Sequence, residues 1–110
     1  MSDQLYLGDD FDIEFPAVHD ASGNVVPLTG ATVYCDARTG SGPPVSADAY
    51  YIDDAPGGLC RARFSSATTA TFTPGTVYNY DGRVKLEDGT LHTIGWGSFR
   101  TIAPVTPTPS

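Results

Sequence analysis

The residues of this chain best suited to chemistry are four closely spaced carboxylates: Asp9, Asp10, Asp12 and Glu14. Carboxylate oxygens are ligands that Ca²⁺ prefers, so the cluster is a candidate cation site. However, Asp12 and Glu14 alternate with apolar residues, as the solvent-facing residues of a half-buried strand do. A loop that starts at Asp20 also lacks glycine at the position that a calcium loop requires, and Ala31 stands where the bidentate glutamate belongs. We therefore interpret the carboxylates as an acidic strand face and predict no metal site.

The other residue types that catalyse reactions or bind metals are two histidines and two cysteines. Their positions, His19, His92, Cys35 and Cys60, do not have the spacing of a zinc site. No Gly-x-Ser-x-Gly motif marks a nucleophilic serine. The prolines that follow Gly42 exclude the helix that a phosphate-binding loop needs. The sequence thus predicts neither an enzyme nor a bound cofactor.

Both cysteines, Cys35 and Cys60, fall on the apolar phase of alternating segments. We interpret them as buried free thiols that pack as small apolar residues, with a disulfide between facing strands as the alternative. The N-terminus is polar and acidic, unlike a signal peptide, and no apolar stretch is long enough to span a bilayer. We therefore expect synthesis in a cytoplasm, where thiols stay reduced.

Apolar and polar residues alternate with a period of two through most of the chain. This alternation, with turns rich in Gly, Pro, Asn and Asp, predicts antiparallel strands with one buried face. Six strands are expected, at residues 10–18, 31–38, 47–53, 59–64, 76–87 and 91–102. A helical turn is expected only after residue 64, capped by Ser65 or Ser66. The prediction is an all-β protein with an immunoglobulin-like antiparallel β-sandwich, and a small β-barrel is the alternative.

The chain, at 110 residues, has the length of one domain. We divide it into an N-terminal leader (residues 1–9), the β-sandwich domain (10–102) and a C-terminal tail rich in Pro and Thr (103–110). Thirteen acidic residues against six basic ones give a net charge of −7. That charge disfavours nucleic acids and anionic membranes as partners and suits docking on basic protein surfaces.

Contacts with other proteins are expected from the leader and from three tyrosines. Leu5 and Leu7 of the leader would pack at a sheet edge or against a neighbour, and the leader or the C-terminal tail would extend onto a neighbouring molecule. Tyr34, on the polar phase of its strand, would join Tyr50 or Tyr51 in an interface patch. The candidate partner-binding residues are Leu5, Tyr6, Leu7, Tyr34, Tyr50 and Tyr51.

The remaining large aromatic residues are expected to fill the core, among them Tyr78, Tyr80 and Trp96. For Trp96 this follows from placing it in the same phase as Ile94. A bulge at residues 95–97 would then change the phase of the strand before Phe99.

Two segments resemble bacteriophage virion proteins: VPLTGATV at residues 26–33 and SSATTATFTPGTVYNY at residues 65–80. They are similar to the immunoglobulin-like N-terminal domain of the baseplate upper protein family and to related small head or tail accessory proteins. A baseplate upper protein continues into a long second region, whereas this chain ends in a Pro/Thr-rich tail. The resemblance therefore implies a stand-alone accessory protein.

The function implied by this resemblance is that of a non-enzymatic structural component of a phage particle. It would be a capsid decoration or head–tail accessory protein, located in the virion and held by protein–protein contacts with other virion proteins. Contacts between copies of the chain, in a homo-oligomer, are a further expectation. The alternatives are a tail or baseplate subunit and a carbohydrate-binding adhesion module.

Overall fold

The structure is a computed structural model and describes residues 3–40 and 42–104. Eight strands form two sheets, and one helical turn connects them. In chain order the elements are β1 (Asp3–Tyr6), β2 (Phe11–Glu14), β3 (Thr32–Arg38), β4 (Val45–Ser46), β5 (Ala49–Asp54), β6 (Leu59–Phe64), α1 (Ser66–Thr69), β7 (Val77–Lys85) and β8 (Leu91–Ile102).

The two sheets have the strand order of an immunoglobulin-like sandwich. The five-stranded sheet runs β1-β8-β7-β3-β4, and the three-stranded sheet runs β2-β6-β5. With the two-residue strand β4 set aside, the third, sixth and seventh strands (β3, β7 and β8) share one sheet opposite the second, fourth and fifth (β2, β5 and β6), as in an immunoglobulin constant domain. All pairs are antiparallel except β1 with β8, which is parallel. The predicted all-β sandwich is confirmed, and the strands form two sheets instead of the alternative closed barrel.

The core lies between the sheets because alternate residues of each strand point inward. In β3 and β6, every second side chain is buried. An aromatic group fills one end of this core, where Phe72 stacks on Tyr78 with ring centroids 4.6 Å apart. The Tyr78 hydroxyl accepts a hydrogen bond from the Thr73 backbone N–H at 2.9 Å, as in the tyrosine corner of immunoglobulin domains. Tyr78 is thus buried as expected.

The helical turn forms where the sequence predicted it. Ser65 caps α1, and its hydroxyl accepts from the Thr68 N–H. Two carboxylates complete the cap, since Asp48 accepts from the Ser65 N–H and Asp10 from the Ser66 N–H, both at 2.7 Å. These bonds satisfy backbone donors that a helix start otherwise leaves without partners.

The segment assigned to a leader is part of the sheet. β1 pairs with β8 in the register Leu5↔Thr101, so the leucine points inward and is only 3% exposed. Leu7 is half-buried and packs against the core. Leu5 is therefore a core residue, which corrects its assignment as a partner-binding residue, whereas Tyr6 points outward and is 48% exposed. Of the predicted tail, Ala103 and Pro104 are exposed, and residues 105–110 lie outside the described part.

No helix within residues 3–40 and 42–104 is long and apolar enough to cross a membrane.

Candidate binding face around Trp96

The most exposed large hydrophobic side chain that the structure describes is the indole of Trp96, at 80% of its area. The expectation that Trp96 fills the core is therefore wrong. The reason is the position of the bulge: Gly82 of β7 pairs with Gly95, but the next residue, Arg83, pairs with Thr93. Ile94 is the extra residue, and it is buried. The strand changes phase before Trp96 and not after it, so the indole points to solvent.

The outward residues of β3, β7 and β8 form rows across the sheet. In the central row, Asp36 pairs with Asp81, which pairs with Trp96. Arg38, Asn79 and Ser98 form the row on one side; Tyr34, Arg83 and Thr93 form the row on the other. Thr32, Lys85 and Leu91 lie beyond Tyr34, and Val77 pairs with Arg100 at the opposite end. We call these outward side chains the Trp96 face.

A groove of about 470 Å³ lies in this face beside the indole. Its polar lining comes from Asp36, Arg38, Asn79 and Asp81. Asp36 accepts a hydrogen bond of 2.6 Å from the Ser46 hydroxyl on the edge strand β4, which orients that carboxylate. The groove has the size of a small-ligand site, but it is open to solvent, and most of its polar groups lie on the outer face of one sheet.

Four of the six basic residues of the chain lie on the Trp96 face: Arg38, Arg83, Lys85 and Arg100. All four are exposed, and none forms an ion pair within the described residues. Only two carboxylates, Asp36 and Asp81, share the face with them. The Trp96 face therefore has an excess of positive charge, although the chain as a whole is strongly acidic.

The other two arginines are held in an ion-pair network on the three-stranded sheet. Asp12 lies 3.1 Å from Arg61 Nη1 and 2.6 Å from Arg63 Nε, and Arg61 Nε also contacts Asp53 at 3.1 Å. The Arg61 guanidinium stacks 4.0 Å from the ring centre of Tyr51. Hydrogen bonding from Arg63 lowers the pKa of the Asp12 carboxyl. These cations bind partners within the chain.

Two of the carboxylates near the N-terminus have hydrogen-bond partners within the chain. Asp12 accepts from two arginines, and Asp10 accepts from the backbone of α1. No group of three or more potential ligands lies close enough for a metal ion in residues 3–40 and 42–104. The acidic strand face predicted from the sequence thus has specific structural partners.

The three candidate tyrosines do not form one patch. Tyr34 lies on the Trp96 face and is 47% exposed. Tyr50 points towards the other sheet at the open edge of the sandwich, where its hydroxyl lies 3.4 Å from the Cys35 backbone N and O. Tyr51, the next residue, lies on the outer side of the three-stranded sheet under Arg61. Of the six sequence candidates, Tyr6 and Tyr34 lie on the same side of the five-stranded sheet as Trp96.

The thiols of Cys35 and Cys60 are buried and not bonded to each other. Burial raises the pKa of the Cys35 thiol to about 12 and that of Cys60 to about 11. Both are neutral small core residues at physiological pH, in agreement with the interpretation as free thiols.

The exposure of Trp96 was not predicted because the alternation of β8 was counted from Ile94. Counting back from Thr101 and Phe99 by twos puts Gly97 and Gly95 inward and Trp96 outward. The two glycines are the sequence feature that marks this: Phe15 packs against Gly95, and the Tyr80 ring lies over Gly97, so both inward positions have neighbours where a side chain would be.

No protein-family model matches the chain, and no curated protein matches it significantly.

Proposed function

We propose that the chain is a non-enzymatic structural component of a bacteriophage particle, a capsid decoration or head–tail accessory protein that attaches to other virion proteins through its Trp96 face. The observation that supports this best is the indole of Trp96, 80% exposed on an uncovered sheet. An exposed tryptophan on a flat face is typical of a protein-binding surface, since Trp, Tyr and Arg dominate interface hot spots. Tyr34 and the arginines of this face belong to the residue types that dominate such hot spots.

The assignment to a phage particle is supported by the resemblance of residues 26–33 and 65–80 to virion proteins and by the sandwich fold. A rigid sandwich has few internal motions to lose on binding, which suits attachment to a repeated lattice. A tail or baseplate subunit would use the same face, with fewer copies.

Quantitative mass spectrometry of purified particles of the phage that encodes the chain tests this proposal. A ratio to the major capsid protein near one, or a simple fraction of it, is expected for a capsid decoration protein. A few copies per particle indicate the neck, tail or baseplate. Absence from particles overturns the virion assignment.

A carbohydrate-binding adhesion module is the second candidate, and the groove beside Trp96 favours it. The indole offers a flat stacking surface, and Asp36, Asp81 and Asn79 offer hydrogen-bonding groups next to it. Titration of the single tryptophan's fluorescence with oligosaccharides tests this candidate. A saturable change that Trp96→Ala abolishes would support glycan binding over protein docking.

A further inference from the structure

The charges of this protein are separated between its faces. The outward side chains of β3, β7 and β8 include four cations and two carboxylates. The rest of the chain holds eleven carboxylates and two arginines, and both arginines are ion-paired. The Trp96 face thus has a charge of about +2 on a molecule of net charge −7.

The two carboxylates of the face do not neutralise its cations pair by pair. Asp36 and Asp81 lie directly opposite each other on neighbouring strands, an arrangement that repels. Arg38 and Arg83, one row away on either side, reduce that repulsion without contacting the carboxylates closely enough to form ion pairs. Within residues 3–40 and 42–104 these guanidinium groups form no ion pair, so their hydrogen-bond donors are available to a partner.

We propose that the Trp96 face binds an acidic surface of a partner protein, with Trp96 and Tyr34 as apolar anchors and the flanking arginines donating hydrogen bonds to the partner's carboxylates. Arginine suits this task because its planar guanidinium pairs with a carboxylate through two parallel hydrogen bonds. This inference rests on the proposed role of the Trp96 face in docking, but not on the phage particle as the place where docking occurs.

A protein partner agrees with the surface better than a nucleic acid does. The eleven carboxylates outside the face would repel a long polyanion, whereas a local acidic patch contacts the face alone. A face with a tryptophan in its central row and a tyrosine and arginines in the rows beside it also has the composition of a protein interface. The net charge had suggested docking on basic surfaces; the separation of charge reverses that expectation for this face.

The chain has a single tryptophan, so its fluorescence reports directly on this face. The full chain is titrated with a twelve-residue peptide rich in Glu and Asp. Separate titrations use a Lys-rich peptide of equal length, a single-stranded oligonucleotide and a neutral oligosaccharide. They represent the alternative classes of ligand.

Two double variants of equal net charge distinguish the effect of charge on the Trp96 face from the effect of the overall charge. Arg38→Gln with Arg83→Gln removes two positive charges from the face. Ala21→Glu with Thr29→Glu adds two negative charges at exposed loop positions outside it, so each variant has a net charge of −9.

The acidic peptide is expected to change the fluorescence of Trp96 saturably at low salt, and the Arg38/Arg83 variant is expected to weaken this binding by about tenfold. The Ala21/Thr29 control should keep most of the affinity, and about 0.3 M salt should weaken the wild type. Equal losses in the two variants overturn the proposal, as does tighter binding of the Lys-rich peptide, the oligonucleotide or the oligosaccharide. Absence of the chain from phage particles, with the acidic peptide still bound, would reject the virion assignment alone.

Discussion

The ring of Phe15, which follows β2 in the three-stranded sheet, packs directly on the backbone of Gly82 in the five-stranded sheet. A Cβ atom on Gly82 would overlap the ring at Cζ, and one on the neighbouring Gly95 would lie 2.9 Å from its Cδ1. These two paired glycines leave the space that the phenyl ring fills between the sheets. The bulge that turns Trp96 outward begins at this pair. The same two glycines therefore pack against Phe15 in the core and adjoin the bulge that exposes the indole.

Substitution of Gly82 by Ala is expected to lower the free energy of unfolding by about 2 kcal/mol, because the added methyl group displaces the Phe15 ring. Urea denaturation measures the change. In a Phe15→Leu background the smaller side chain leaves room, so the same glycine substitution should cost less than in the wild type. An equal cost in both backgrounds would show that the penalty does not come from the ring.

Substitutions of two neighbouring residues of β1 should differ strongly in their effect on stability. Leu5→Ala should lower the free energy of unfolding by about 3 kcal/mol, because the leucine is buried in the core. Tyr6→Ala, on the exposed side of the same strand, should change it by only about 0.5 kcal/mol. Chemical denaturation of both variants makes the comparison. If Leu5→Ala has no more effect than Tyr6→Ala, β1 does not dock on β8.

The bulge in β8 predicts a similar contrast between Ile94 and Trp96. Ile94→Ala removes a buried side chain and should cost about 2–3 kcal/mol of stability. Trp96→Ala removes an exposed one and should leave the thermal transition nearly unchanged while abolishing docking through the face. Thermal unfolding and particle association measure the two properties. A large loss of stability in Trp96→Ala would mean that the indole packs on the domain.

Acid should weaken the fold partly through Asp48. Its carboxylate accepts from the Ser65 N–H at 2.7 Å and the Thr68 hydroxyl at 2.8 Å, and the bond from Ser65 lowers its pKa below the ordinary value of 3.8. The unfolded chain therefore binds a proton at higher pH than the folded chain does. The stabilisation is complete above the unfolded pKa and is lost as the pH falls through the folded one.

As the pH is lowered below about 4, the free energy of unfolding should thus decrease less steeply in Asp48→Asn than in the wild type. Asp48→Asn is expected to be less stable at neutral pH, where the carboxylate contributes. Glu14→Gln is the matched control, since Glu14 is exposed and forms no ion pair within the described residues. An identical acid slope in the wild type and Asp48→Asn would contradict this role of the carboxylate.

Local patterns in the sequence were sufficient for most of the secondary structure. The predicted strands at 59–64 and 91–102 have the observed bounds, because a turn with glycine precedes each of them, and a helix cap at Ser65 and the proline-rich segment from Pro104 follow them. Pro16, two residues after β2, agrees with the position of that strand at the edge of its sheet, where a missing backbone donor costs little. β4 was missed because two residues are too few for a period, and β1 because a parallel edge strand takes its partner from the far end of the chain.

The sequence by itself determined an all-β sandwich, its turns, the cap of α1 and the inward positions of the cysteines, since each depends on neighbours within a few residues. Only the tertiary structure decided which way Trp96 points, because a one-residue bulge reverses every side chain beyond it. Only the tertiary structure also placed Arg38, Arg83, Lys85 and Arg100 on one face. Each of these residues occupies a polar phase, but the register between three strands distant in sequence brings those phases to the same side of one sheet.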